Sequence, residues 1–323
     1  MPRNPIASSI DLPQNESECD IVVSVVAIDS LGIDVVNLLK LQPIYRIRKT
    51  IAICSDAAVL SKSLADLNIQ LDEGNRAEEN RRITCIHAKS RRAEIQHAMQ
   101  GSHMVFIVTG APGSPGNAVA QMVAKLALEL GALTLVLADL YDDPAAEDAT
   151  WHKKWLQQMR KRSDCVVRRS NLTRKPISIS SGTQHLIQGN EITQSLEIVT
   201  GLSQILNNQD LVGLDLEDVR TILGGEGKLI MYGRGLASGP DRALTAIRQA
   251  IESDRMKDTL AKTDGLIFWI GGAGDIKLGE LRIVVNEIRT HSQDECTIVF
   301  GTFDSTLLLT GEMEVGMLVR TNQ

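Results

Sequence analysis

The sequence predicts an α/β protein built on a parallel sheet with helices on both faces. Three observations carry that prediction. Short apolar runs at Ile21 to Ile28, Thr50 to Cys54, Met104 to Val108 and Leu133 to Ala138 have the length and composition of buried strands. Between such runs lie segments with apolar residues at helical spacing, as in Val119, Met122, Val123, Leu126, Ala127 and Leu130. Glycine, proline and aspartate gather at the strand-to-helix joints. Ligands of such sheets bind outside the carboxyl ends of the strands. The loops after Ile28, Cys54, Thr109 and Ala138 are therefore predicted to line one crevice.

Residues 1–18 are polar, carry prolines and lack an apolar core, so they read as a disordered tail rather than a signal peptide. The first strand leads through Asp29-Ser30-Leu31-Gly32 into a helical pattern at Val35, Val36, Leu38 and Leu39, with Gly32 the single glycine of that turn. The charged stretch 73–82 reads as a solvated loop, Ile83 to Ile86 as a strand and Ala93 to Gln100 as a short helix.

The segment His103 to Thr134 is the most informative. A strand, a Gly/Pro loop from Gly110 to Gly116 and an amphipathic helix follow one another, and Gly131 sits at the helix's C-cap. This layout aims free backbone N–H groups at a phosphate. The loop is unusual for that task, because Pro112 and Pro115 have no N–H to offer. Ser114 followed by Pro115 reads as an N-cap with proline at the first helical position.

The next crevice loop, residues 139–148, holds Asp139, Asp142, Asp143, Glu147 and Asp148 and no base. Like charges 4 Å apart repel by about 4 kcal/mol at an effective dielectric of about 20, so a triphosphate there would need strong compensation. A divalent cation would supply some, but a solvated acidic loop is the simpler reading. Residues 151–175 reverse the charge, and the helix marked by Trp151, Trp155 and Met159 exposes a basic face read as plainly solvated. From about Gly182 to Asn207 runs one long helical pattern.

The second half opens on Asp215 and Asp218, three apart at a helix start, where carboxylates are favoured by the helix dipole. Strands are then predicted at Leu229 to Tyr232, Leu266 to Ile270, Thr297 to Phe300 and Val315 to Val319, and an amphipathic helix at Leu278 to Ile288. They make a second, smaller α/β unit with a mixed sheet.

Composition narrows the function. The 323 residues suffice for two domains, and only 3% are aromatic, which leaves few stacking platforms for single-stranded nucleic acid. A net charge of -6 gives no general attraction to nucleic acid or anionic membrane. Five scattered cysteines without a CxxC pair predict reduced thiols and a cytoplasmic location. The apolar runs are all far shorter than a membrane span.

The order of these elements resembles FtsZ, the bacterial relative of tubulin. The second half carries the likeness most clearly, through DLEDVRTILGGEGKLIMYGRGLASGPDRALTAIRQAIESD, DGLIFWIGGAGDIKLGELRIVVNEIR and TIVFGT. The first half aligns through HMVFIVTG, VAKLALELGALT and Ser170-Asn171, so residues 20–320 are covered. The resemblance implies a tubulin/FtsZ-like fold: a Rossmann-like nucleotide-binding domain at 19–181, a connecting helix at 182–208 and a C-terminal domain at 209–323.

FtsZ binds GTP in its first domain, polymerises head to tail and hydrolyses GTP between subunits. The matching catalytic carboxylates here are Asp215 and Asp218, while the family's asparagine just before them is Gly213. The positions that match nucleotide contacts are Gly32, Gly110, Gly113, Ser114, Gly116, Asn117, Asn171 and Thr193. Several depart from the pattern. The family's GGGGGN turn is Asp29 to Asp34, its GGGTGTG signature falls on Pro112 to Ala118, and its guanine-reading aspartate is Thr193.

The resemblance therefore implies a cytoskeletal pseudo-GTPase that binds GTP weakly or not at all, with Mg²⁺ present only alongside GTP and no metal site of its own. Its expected partners are further copies of itself or FtsZ, head to tail, in cell division. The sequence stops at Gln323, without the family's usual linker and tether-docking peptide, so no direct membrane tether is expected. The rival reading is an active, divergent GTPase that uses Gly113, Gly116, Asn171, Asp215 and Asp218.

Overall fold

The computed structural model describes residues 21–41, 47–71, 89–110, 116–138, 140, 146–168, 190–207, 213–225, 227–252, 254–305 and 307–321. The predicted tail at 1–18, the loop at 73–82, the strand at Ile83 to Ile86 and most of the acidic loop lie outside the described residues.

The first half runs β1 (Val23–Ile28), α1 (Asp29–Leu41), β2 (Ile47–Cys54), α2 (Ala57–Leu60), β3 (Leu67–Gln70), α3 (Arg92–Ala98), β4 (Met104–Val108), α4 (Gly116–Glu129), β5 (Leu133–Ala138), α5 (Ala146–Arg160) and β6 (Cys165–Arg168). A long helix, α6 (Asn190–Asn207), follows. The second half runs α7 (Leu216–Leu223), β7 (Lys228–Ser238), α8 (Arg242–Ala250), α9 (Asp254–Leu260), β8 (Gly265–Gly272), α10 (Leu278–His291), β9 (Thr297–Asp304) and β10 (Glu312–Thr321).

All ten strands join one sheet, ordered β3-β2-β1-β4-β5-β6-β7-β10-β8-β9. The first seven in that order pair in parallel. β10 is antiparallel to both β7 and β8, and β9 lies parallel to β8 at the far edge. The sheet is thus mixed, as predicted, but it is continuous through both halves because β6 pairs directly with β7.

Side-chain alternation along the strands sorts the core by face. Val25, Phe106, Leu135, Val167, Tyr232, Trp269 and Leu318 point to one face, where they share a cluster with α1, α6 and α7. Val26, Ile107, Val136 and Val166 point to the other, beneath α3, α4 and α5. On that second face the C-terminal strands build a separate cluster with α8, α9 and α10, including Phe268, Ile270 and Val315. One face therefore ties the halves together, and the other keeps their cores apart.

The tie is α6. Its Ile198, Val199, Leu202 and Ile205 are fully buried among both halves' strands. Gly201 allows close contact: a Cβ there would fall 2.3 Å from Cε2 of Trp269, and a Cβ at Gly316 would fall 2.2 Å from the same atom. Beside this contact Arg234 of β7 is buried between Glu197 of α6, at 3.3 Å, and Glu314 of β10, at 2.6 Å. The Tyr232 hydroxyl donates to Glu197 at 2.9 Å. Two carboxylates, one guanidinium and one phenol thus lock the helix to the C-terminal sheet.

Several elements differ from the sequence reading. β3 and α2 were not predicted: β3 buries one residue of its four, Ile69, so it has no apolar run to read. β6 was hidden in the basic stretch, where three buried residues, Cys165, Val166 and Val167, suffice for a strand. β7 runs on to Ser238, past the predicted strand end at Tyr232. Glu147 and Asp148, read as part of the acidic loop, belong to the first turn of α5.

Candidate functional site

The carboxyl ends of the parallel strands meet at one end of the sheet. β1 stops at Ile28, and α1 begins at once on Asp29, which takes a φ of +60°. That is the one positive φ outside glycine among the described residues. Gly32 sits so close to the end of β4 that a Cβ would lie 2.6 Å from the Val108 carbonyl oxygen. The first turn of α1 thus packs closely on the carboxyl ends of β1 and β4, and the Asp29 carboxylate lies at the amino end of α4.

The contact there is direct. α4 begins at Gly116, and a Cβ on Gly116 would fall 1.8 Å from Oδ2 of Asp29 and 2.5 Å from its Cγ. The carboxylate fills the space that a side chain at Gly116 would need. Thr109 is fully buried after β4, and its N–H donates to Leu137 O at 3.1 Å. Gly110 follows with open space on its Cα. At the next strand end Asp56 caps α2, accepting from the N–H groups of Ala58 at 2.8 Å and Val59 at 3.3 Å.

Of the predicted nucleotide-contacting residues, this end brings together Gly32, Gly110 and Gly116. Asn117 lies in the first turn of α4, described for its backbone. Thr193 is half-buried near the start of α6. Gly113, Ser114 and Asn171 lie outside the described residues.

Asp215 and Asp218 stand elsewhere. Asp215 is the N-cap of α7, with extended backbone, and its Oδ1 accepts from the Asp218 N–H at 2.7 Å. Both side chains belong to exposed residues. Arg220, on the same helix, donates to Gly131 O at 2.9 Å and His103 O at 3.5 Å. Those carbonyls immediately precede β5 and β4, so α7 docks at the amino ends of the parallel strands. The α7 carboxylates and the Asp29 crevice are separated by the length of the sheet, about 17–20 Å for strands of five or six residues.

Other chemistry is sparse. Among the described residues no group of three His, Cys, Asp or Glu side chains is placed to hold a metal ion. Cys54, Cys165 and Cys296 are buried and form no disulfide, and burial pushes the Cys165 thiol well above its ordinary range. Among the described residues no helix is long and apolar enough to cross a membrane. The Glu197–Arg234–Glu314 cluster was missed by sequence reading. Its members are 117 residues apart end to end, and a lone arginine in a strand pattern gives no hint of its partners.

The sheet order, the linking helix and the C-terminal α/β unit make an FtsZ/tubulin-like fold. Residues 227–321 match the FtsZ family, C-terminal domain. Over the whole length, the chain is similar to an FtsZ mutant from M. jannaschii, with 25% identity, 93% of this chain and 91% of that chain covered, and a TM-score of 0.77. An empty FtsZ dimer from the same organism gives 24% identity, coverage of 94% and 89%, and a TM-score of 0.78. CetZ2 from Haloferax volcanii, a GTPγS-bound protofilament, shares the fold at 16% identity, with 94% of each chain covered and a TM-score of 0.68.

Proposed function

We propose that this chain is a cytoskeletal pseudo-GTPase of the FtsZ type, which assembles head to tail while binding GTP weakly or not at all. It forms filaments of its own or modulates those of a genuine FtsZ in cell division. The observation that carries the reading is the polarity of the site: the crevice glycines and the α7 carboxylates occupy opposite ends of one sheet. No single chain unites them, whereas stacking one chain on the next does. An FtsZ dimer and a CetZ2 protofilament stand among its structural relatives, which supports self-association.

The residues present fit a triphosphate poorly. Asp29 places a carboxylate against the first residue of α4. In sequence, Pro112 and Pro115 remove two N–H donors from the following loop, and Thr193 stands where an aspartate would read guanine. Each lost hydrogen bond to a charged group costs roughly 1.5–3 kcal/mol. At tenfold per about 1.4 kcal/mol, two or three such losses take a micromolar site to about 0.1 mM or weaker.

The rival, an active GTPase, draws support from the exposure of Asp215 and Asp218 at the end where a neighbour would be met. A titration with labelled GTP and Mg²⁺ separates the two. The pseudo-GTPase reading expects no saturable micromolar binding and no phosphate release. It also expects a change in polymer mass when the protein is sedimented with genuine FtsZ. Micromolar binding with turnover establishes the rival instead.

A further inference from the structure

We propose that the chain carries its own anion at the crevice: the Asp29 carboxylate occupies the amino end of α4 and closes it to phosphate. The proposal rests on the reading of a nucleotide-poor crevice and names the group responsible.

The first N–H groups of a helix have no partner within it, and the aligned peptide dipoles add about half a positive charge at that end. Two helices bring such ends together here, because α1 starts at Asp29 and α4 starts at Gly116. The point of convergence is already filled. Oδ2 and Cγ of Asp29 lie where a Gly116 side chain would have to go, at 1.8 Å and 2.5 Å from its Cβ position, with Ile28 Cγ2 also within 2.8 Å. Asp29 reaches this position through its left-handed backbone, a conformation that aspartate and asparagine tolerate better than most residues.

A phosphate at the same place meets this carboxylate at contact distance. The like-charge repulsion at about 4 Å corresponds to roughly a thousandfold weaker binding at an effective dielectric near 20. A simple capping role for Asp29 makes a different prediction. A cap stabilises the helices, so its neutralisation lowers stability without creating an anion site.

The test uses the full chain, its Asp29→Gly and Asp29→Asn variants, and pyrophosphate with Mg²⁺ as the probe. Glycine suits the left-handed backbone and empties the site. Asparagine keeps the shape and removes the charge. Circular dichroism confirms folding, and calorimetric titration reads binding. The expected result is no saturable binding by the parent chain and a gain of at least tenfold in both variants. If both folded variants bind no better and the parent also does not bind, the Asp29 proposal is overturned and the nucleotide-poor reading stands. If the parent binds as tightly as the variants, both are overturned.

Discussion

Single residues decide how the C-terminal half responds to acid. Arg242 is buried and reaches Asp275 at 2.7 Å and Glu280 at 2.7 Å, pinning α8 to the start of α10. The hydrogen bond from Arg242 is the main cause that holds both carboxyls below their ordinary range. Arg320 does the same for Asp264. A carboxyl whose folded pKa is depressed binds fewer protons folded than unfolded. Its contribution is complete above the unfolded value, near pH 4, and is lost as pH falls through the folded value. Urea midpoints measured from pH 7 to pH 3 should therefore drop at the acid end. In Arg242→Met that drop should be shallower, on a lower plateau. Arg234 behaves differently, because it is itself buried with Glu197, and Glu314 is only slightly more exposed. Arg234→Ala leaves buried Glu197 and half-buried Glu314 without their cation and should cost about 3–5 kcal/mol, read in the same melts. Adding Glu197→Gln and Glu314→Gln should return much of that loss, which a purely steric role for Arg234 would not allow.

Elements with a long apolar run or a full helical stripe were legible in the sequence, and the four-residue elements α2, β3 and β6 were missed. β1, β4 and β5 are buried at every position and read as apolar runs. α4 declared itself by spacing, and Gly131, with a φ of +78°, by its place after the last turn. β3 and β6 are four residues each and draw their stability from neighbours on the sheet, which no local pattern records. At the candidate site, the residue types of the crevice turns were readable, but the meeting of Asp29 with Gly116 was not, since it joins residues 87 positions apart. The same limit applies to α6, whose pattern was clear while its seat on Trp269 was not. That seat predicts a strong steric effect. Gly201→Ala puts a methyl into the indole, and overpacking of a dense core typically costs about 1–3 kcal/mol. The fluorescence of Trp269, buried and stacked 6.1 Å from Tyr232, should shift in the folded variant. A variant with unchanged emission and unchanged melting would show that α6 does not rest on that ring.

At the scale of the whole molecule, the sheet gives the chain two unlike ends, and the two α7 carboxylates allow the outward-facing one to be tested separately from the fold. Asp215 works within its own chain, since it caps α7 through the Asp218 N–H. Replacing an N-cap aspartate with alanine costs typically about 1 kcal/mol. Asp218 contributes its backbone to that cap and exposes its side chain. Asp215→Ala should then lower the melting temperature and weaken assembly together. Asp218→Ala should leave melting within the small range usual for exposed surface changes, about 0.5 kcal/mol, and still reduce the mass sedimented in homopolymer or with FtsZ. Charge reversal in Asp218→Lys should reduce it further. The pattern depends on the outward end meeting another chain: if Asp218→Ala and Asp218→Lys sediment like the parent under every condition in which the parent assembles, α7 is not at the contact, and head-to-tail stacking through this end is wrong.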